Sequence, residues 1–171
     1  MPKITDQKMH HWKTLIENYD LKESSSLIDG QLKHLVMQNS SSTSVDRRAI
    51  LFPSVLCLCK AISNEKWKFK EKIWLRKFHM NDQIVIPGKE MCVSKGSDRW
   101  RDFLDHEHVF EIQTEEKTYL LAARSEQEKN QWLCLLLYIR NKRSVHPMDH
   151  HLFIELFFLV VFFNVNCTIS S

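Results

Sequence analysis

Apolar positions recur along this chain at two spacings, and the change between them separates helices at either end from strands in the middle. In 4–19 (ITDQKMHHWKTLIENY), Met9, Trp12, Leu15, Ile16 and Tyr19 fall three and four residues apart, the stripe of an amphipathic helix that needs a covering surface. A polar break follows at 22–26. From Leu27 the period shortens toward two, so 28–35 (IDGQLKHL) predicts a strand entered from a turn, and the serine-rich stretch 39–44 predicts a loop. The apolar runs 49–52 and 55–59 flank Pro53-Ser54 and predict antiparallel strands joined by a tight turn, because neither is long enough for a helix. KWKFK at 66–70 alternates basic and aromatic residues, so a strand there carries lysines on one face and Trp67 with Phe69 on the other. One more strand is expected over 73–80, before a long irregular connection at 87–105.

HVFEIQ (108–113) and KTYLLAA (117–123) surround Thr114-Glu115-Glu116 and read as a hairpin. The most legible helix follows. Ser125-Glu126-Gln127-Glu128 is a capping box, in which the serine accepts from the third helical amide and Glu128 reaches back to the cap. Acids in the first turn and Arg140, Lys142 and Arg143 at the end suit the helix dipole. Trp132, Leu135, Leu136 and Ile139 form the stripe that lies against a sheet. The fold class is therefore mainly β: a seven-stranded antiparallel barrel or sandwich capped by a C-terminal α-helix and preceded by an N-terminal helix.

Composition narrows the function. A chain of 171 residues holds one ordinary domain with flanks, too little for a large two-domain enzyme. The formal charge of +3 is not a nucleic-acid-binding composition, so only a local basic face can matter. Five cysteines without a paired framework and no apolar leader read as a reduced, cytoplasmic protein. Cys57 and Cys59 would share a strand face, as buried small hydrophobes rather than half of a metal site. His10, His11, His146 and His150 have no Cys or carboxylate pattern to complete a ligand set, and no metal or cofactor is expected. With three glycines there is no phosphate loop, no serine sits in a nucleophile elbow, and Glu115-Glu116 lies in a turn, so no catalytic constellation is present.

DGQLK (29–33), ILFPSVLCLCK (50–60), HVFEI (108–112) and SEQEKNQWLCLL (125–136) together resemble a pleckstrin-homology (PH) domain over 27–143. The resemblance implies that Trp132 plugs one open end of the barrel. A helix ending in IEN (16–18), a polar spacer and IDGQLK (28–33) further resemble the junction between the catalytic Dbl-homology (DH) helices and the PH domain of Vav-type exchange factors for Rho-family GTPases. KFKEKIWLRKFHMND (68–82) is similar to Vav and, in part, to son-of-sevenless-type PH domains. Residues 1–26 then correspond to the end of the last DH-like helix with its linker. Residues 144–171 form an apolar tail outside the family, where HPMDHHLF (146–153) is loosely similar to the linker toward a C1 domain whose cysteines do not follow.

The resemblance implies a non-catalytic regulatory module, with exchange activity residing in the DH domain. Its expected partners are that DH domain, a Rho-family GTPase and an anionic phosphoinositide membrane surface, with no nucleic acid; its expected location is cytoplasmic and membrane-peripheral. Lys33, Arg47 and Arg48 occupy the places where the family gathers cations for inositol phosphates, although Arg47-Arg48-Ala49 lacks the basic-x-Arg alternation of strong lipid binders. Lys68 and Lys70 lie in the densest basic stretch, which reads either as a solvated strand face or as a second lipid- or GTPase-facing patch. A scaffold that orients its neighbours and binds no lipid is the alternative. The tail run LFIELFFLVVFF (152–163) is short of the roughly 20 residues a membrane span needs, has no amphipathic period, and reads best as sequence diverging from the family, poorly packed and aggregation-prone.

Overall fold

The stretch ILFPSVLCLC at 50–59 shows no polar alternation, and a strand of that kind is stable only when both its faces are covered. In the computed structural model, which describes residues 11–23, 25–38, 41–81 and 106–143, both are. The elements are α1 (His11–Leu15), β1 (Ile16–Glu17), β2 (Ile28–Gln38), β3 (Ser41–Leu51), β4 (Val55–Ser63), β5 (Lys66–Trp74), β6 (Phe78–Asn81), β7 (Val109–Thr114), β8 (Thr118–Ala122) and α2 (Glu126–Arg143). The strands form one eight-stranded sheet in the order β1-β5-β4-β3-β2-β8-β7-β6, antiparallel except for the β1–β5 pair. The eighth strand, beyond the seven expected, is the two-residue β1.

Alternate residues of β3 and β4 enter two different cores. Ala49, Leu51, Leu56 and Leu58 join Leu32, Ile73, Phe78, Phe110, Ile112, Tyr119 and Leu121 on the inner face, where Trp132, Leu133, Leu136 and Ile139 of α2 pack against them. Both halves of the sheet contribute to this cluster, so the sheet bends over on itself and encloses the core as a barrel does, without hydrogen bonds between its edge strands β1 and β6. Ile50, Phe52, Val55, Cys57 and Cys59 point the other way, under Trp12, Ile16 and Leu21 of the N-terminal segment, with Tyr19, Trp67 and Phe69 packed alongside. Trp67 and Phe69 thus share a face, as the alternation of 66–70 predicts.

The N-terminal helix ends sooner than its stripe suggests. It ends at Leu15, and Ile16 and Glu17 pair in parallel with Trp67 and Lys68 on β5 before Asn18 turns the chain at φ 54°. Covering part of the β5 edge satisfies backbone groups that a longer helix would leave open. Lys66 donates to the Thr14 carbonyl and Lys72 reaches Asp20, both at 2.6 Å, which tie the segment to β5, while within it Trp12 donates its ring N–H to Ser26 Oγ at 3.0 Å and Tyr19 donates to the Glu23 carbonyl. Two further expectations are corrected. Ser41 to Ser44 are strand rather than loop, because each has a partner on β2, from Gln38 back to Leu35. The single strand expected over 73–80 is broken at 75–77, where Leu75 turns back to donate to the Ser54 carbonyl at 2.9 Å. Met9, the connection at 87–105 and the tail 144–171 lie outside the described residues.

At the other end α2 begins as its sequence dictates: the Glu128 amide donates to Ser125 Oγ at 3.1 Å. Glu128 itself reaches back one residue further than a capping box requires, accepting from the Arg124 guanidinium at 2.7 Å and the Arg124 amide at 3.3 Å. Arg143 closes the helix by donating to the carbonyls of Leu75 and of Pro53. Trp132 lies against Gly30, where an added Cβ would stand 3.5 Å from its Cζ2, an ordinary contact. Trp132→Ala is therefore expected to cost about 3–5 kcal/mol in urea unfolding, whereas Gly30→Ala should shift the midpoint little. A large loss for Gly30→Ala would mean that the strand and the tryptophan are closer than this packing has them.

Candidate anion-binding surface

Antiparallel pairing decides which turns share an end of the sheet. β2–β3, β4–β5 and β7–β8 are consecutive antiparallel pairs, and β2 runs antiparallel to β8, so their three hairpin turns project from one end. The β3–β4 turn, to which Arg143 is bonded, lies at the opposite end. Helix α2 thus secures one end and leaves the other to the hairpins.

Residues directly opposite one another on neighbouring strands share a face. Arg47 is paired with Leu32, which puts it on the inner side, whereas Lys33 opposite Asp46 and Arg48 opposite Gln31 lie on the outer side. Arg48 is occupied there: it forms an ion pair with Asp29 and stands 6.0 Å from the Trp67 ring centre. Lys33 lines a cleft of about 430 Å³ with Asp46, Glu107, His108 and Arg124. That cleft carries both signs of charge, and its Arg124 and His108 are already bound to Glu128 at 2.7 Å and Glu126 at 3.1 Å.

The inner side at the hairpin end is different. Arg47 donates to the Asp46 carbonyl at 3.2 Å, while its Nε is buried with no hydrogen-bond partner among the described residues. On the next hairpin Lys60 is paired directly with Lys68, a juxtaposition of like charges that costs stability in a sheet. Lys70 falls at an irregularity between Phe69 and Glu71, out of the ladder. Lys60, Lys68 and Lys70 are all exposed, and among the described residues none of them has an ion-pair partner. Glu71 enters the inner side opposite Leu58 and holds Lys117 at 3.2 Å, with the Lys117 ammonium 4.9 Å from the Tyr119 ring centre. Of the five cations picked out in the sequence, Arg47 and Lys68 lie on this side, Lys70 lies at its margin, and Lys33 and Arg48 lie on the other face. Lys60 and Lys117 went unnoticed in the sequence, because only the strand register reveals their neighbours.

Among the described residues no three or more of His, Cys, Asp and Glu come together as metal ligands, and no helix is long and apolar enough to cross a membrane. Cys57 and Cys59 are free and wholly buried, and burial pushes both thiols up, Cys59 to about 12. They act as small core residues.

Residues 26–137 match the family model of the PH domain, and the chain belongs to that family. Solved structures of guanine nucleotide exchange factors share its fold. A Vav1 structure described for the role of its PH and C1 domains has a TM-score of 0.56 at 20% identity, covering 79% of this chain and 32% of that one. Vav1 bound to an allosteric inhibitor gives 0.59 at 20% identity, over 84% of this chain and 23% of that one. A linker-DH/PH fragment of p115-RhoGEF gives 0.59 at 13% identity, over 82% and 41%. The chain therefore spans less than half of each of these solved chains. No curated protein matches it by sequence.

His34 carries a testable consequence of the cationic end. Its ring is only 5% exposed, on the inner side 6.1 Å from Tyr119. Burial holds its pKa below the ordinary 6.5; nearby Glu71 opposes this, and Lys117 and Arg47 reinforce it. The folded state then binds fewer protons at this site than the unfolded chain, so its contribution is intact above about pH 6.5 and is lost as pH falls through the lowered folded value. Stability measured from pH 7.5 downward should fall below that point, and His34→Gln should flatten this limb. An unchanged acid limb in the variant would place the sensitive proton elsewhere.

Proposed function

We propose that this chain is the PH regulatory module of a Vav-like, Dbl-class exchange factor for Rho-family GTPases, holding its catalytic neighbour against an anionic membrane surface. The observation that carries the membrane part of this reading is the Lys60–Lys68 pair: two ammonium groups set opposite each other beside Arg47, at the end of the sheet that α2 leaves free. Uncompensated like charges persist where an external anion offsets them, and phosphoinositide or phosphatidylserine headgroups supply such charge. The association is electrostatic and weak, because among the described residues no set of donors converges on one phosphate.

The DH domain is the proposed partner on the other side. Residues 11–23 lie across the outer face of β3, β4 and β5 with Trp12, Ile16 and Leu21 buried, so a catalytic domain preceding them would be joined to the barrel through a packed segment rather than a free linker. The same packing also supports a scaffold that binds no lipid. By itself the module performs no nucleotide exchange under this reading, since the DH helices that touch the GTPase are not part of it.

Co-sedimentation with phosphatidylcholine vesicles, with and without phosphatidylserine or phosphoinositide, separates the two readings. Binding at low salt should weaken as ionic strength rises. Lys60→Gln with Lys68→Gln should reduce it by about 2 kcal/mol, about thirtyfold, at roughly 1 kcal/mol per basic residue. Lys33→Gln with Arg48→Gln should reduce it less. Absence of binding to anionic vesicles at low salt would leave the scaffold.

A further inference from the structure

The end of the sheet that α2 secures carries apolar surface that no described residue covers. Trp74, the last residue of β5, is 49% exposed; it is paired with Val55 and so faces the outer side. Leu27, 41% exposed, stands just before β2 and donates its amide to the Leu51 carbonyl at 2.7 Å. Pro53, also exposed, lies in the β3–β4 turn between them. From β2 across to β5 is three strand spacings, about 14 Å. In the middle of that width Phe52 and Val55 are buried in one cluster with Leu21, so the N-terminal segment covers the centre and stops short of both flanks. The chain leaves α2 at the same place: Arg143 donates to the carbonyls of Pro53 and of Leu75, the neighbour of Trp74.

We propose that the chain's own apolar run, residues 152–163, docks in cis on the rim formed by Leu27, Pro53 and Trp74. Three observations select this occupant. Its tether starts at the patch, because the Arg143 bonds hold the end of α2 against the β3–β4 turn. Its spacer has the right length: 144–151, fully extended, reaches at most about 27 Å, enough to lay the run across the rim. Its charge has a counterpart as well. Glu155 is the sole charge in LFIELFFLVVFF, and Arg76, two residues beyond Trp74, is exposed with no ion-pair partner among the described residues. A short flexible tether gives an effective concentration in the millimolar range, so docking within one chain outcompetes a second copy at micromolar concentration. A bilayer is the poorer match, since the run falls short of the roughly 20 residues a span requires. Docking gives a partner to a segment whose pattern, with no polar face, otherwise leaves it unpacked.

The test uses the full chain at low micromolar concentration, with a photo-crosslinking benzoylphenylalanine in place of Trp74 and, separately, in place of Ile62. Ile62 is the control: it is 53% exposed beside a slip in the β4–β5 ladder, at the opposite end of the sheet. The Trp74 probe is expected to link to residues 152–163 within a single chain, as a product of monomer mass, and the Ile62 probe to give little such product. Links formed only between chains would overturn docking in cis in favour of a second copy. No link to 152–163, or equal yields from both probes, would overturn the site. A second measurement follows elastase cleavage inside 152–163. Leu27→Ser with Trp74→Ser alters only exposed side chains and should leave the thermal midpoint nearly unchanged, yet speed cleavage about tenfold, because half of an indole's burial is lost to the docked state. Equal cleavage rates in the variant and the wild-type chain would contradict the proposal.

Discussion

The two-sided burial of β3 and β4 is the constraint on which the rest of the molecule depends. Where the two strands are apolar at every position, at 49–52 and 55–59, neither face can be left in water, because each Leu, Ile or Phe side chain so exposed forfeits about 1.5–3 kcal/mol. The inner face is covered by α2 and by the far half of the sheet folding over; the outer face is covered by Trp12, Ile16 and Leu21. The N-terminal segment is thereby part of the fold, and its short parallel pairing with β5 follows from having to lie flat on that face.

That division assigns separate roles to the two ends of the sheet. Where Arg143 bonds to the Pro53 and Leu75 carbonyls, helix, turn and strand are locked together through one guanidinium. At the hairpin end the cations have few local partners, and the lysine pair on β4 and β5 costs stability that nothing inside the described residues repays. A departure from local consistency is the pattern expected where a surface meets something else. The family assignment rests on the sequence match over 26–137, while the exchange-factor structures, all below 25% identity, carry the architecture.

The parts of the fold most legible in the sequence were those governed by local rules. Pro53-Ser54 between two apolar runs gave a turn, Ser125 capped its helix, and the stripe headed by Trp132 became the inward face of α2. Less legible were features decided by a distant partner. Ser41 to Ser44 have poor strand propensity, yet β2 supplies a partner for each of them, and pairing overrides propensity. The stripe through Tyr19 has helical spacing, but the β5 edge captures Ile16 and Glu17. At the candidate surface the basic residues could be counted but not assigned to faces: Arg47 and Arg48 are neighbours in sequence and lie on opposite sides of a sheet. The bulges that free Ile62 and Lys70 leave no signature in a single sequence.

The most direct test of this account is the reactivity of the outer-face thiols. In the native full chain, Cys57 and Cys59 should resist a thiol reagent at pH 8, since both lie wholly beneath the N-terminal segment and burial raises their pKa values. Ile16→Asp places a charge in that contact and should speed labelling of both cysteines well ahead of global unfolding, with α2 still folded by circular dichroism. Labelling that stays as slow in Ile16→Asp as in the wild-type chain, or that accelerates only together with loss of the whole fold, would contradict a segment that covers the outer face as a distinct layer.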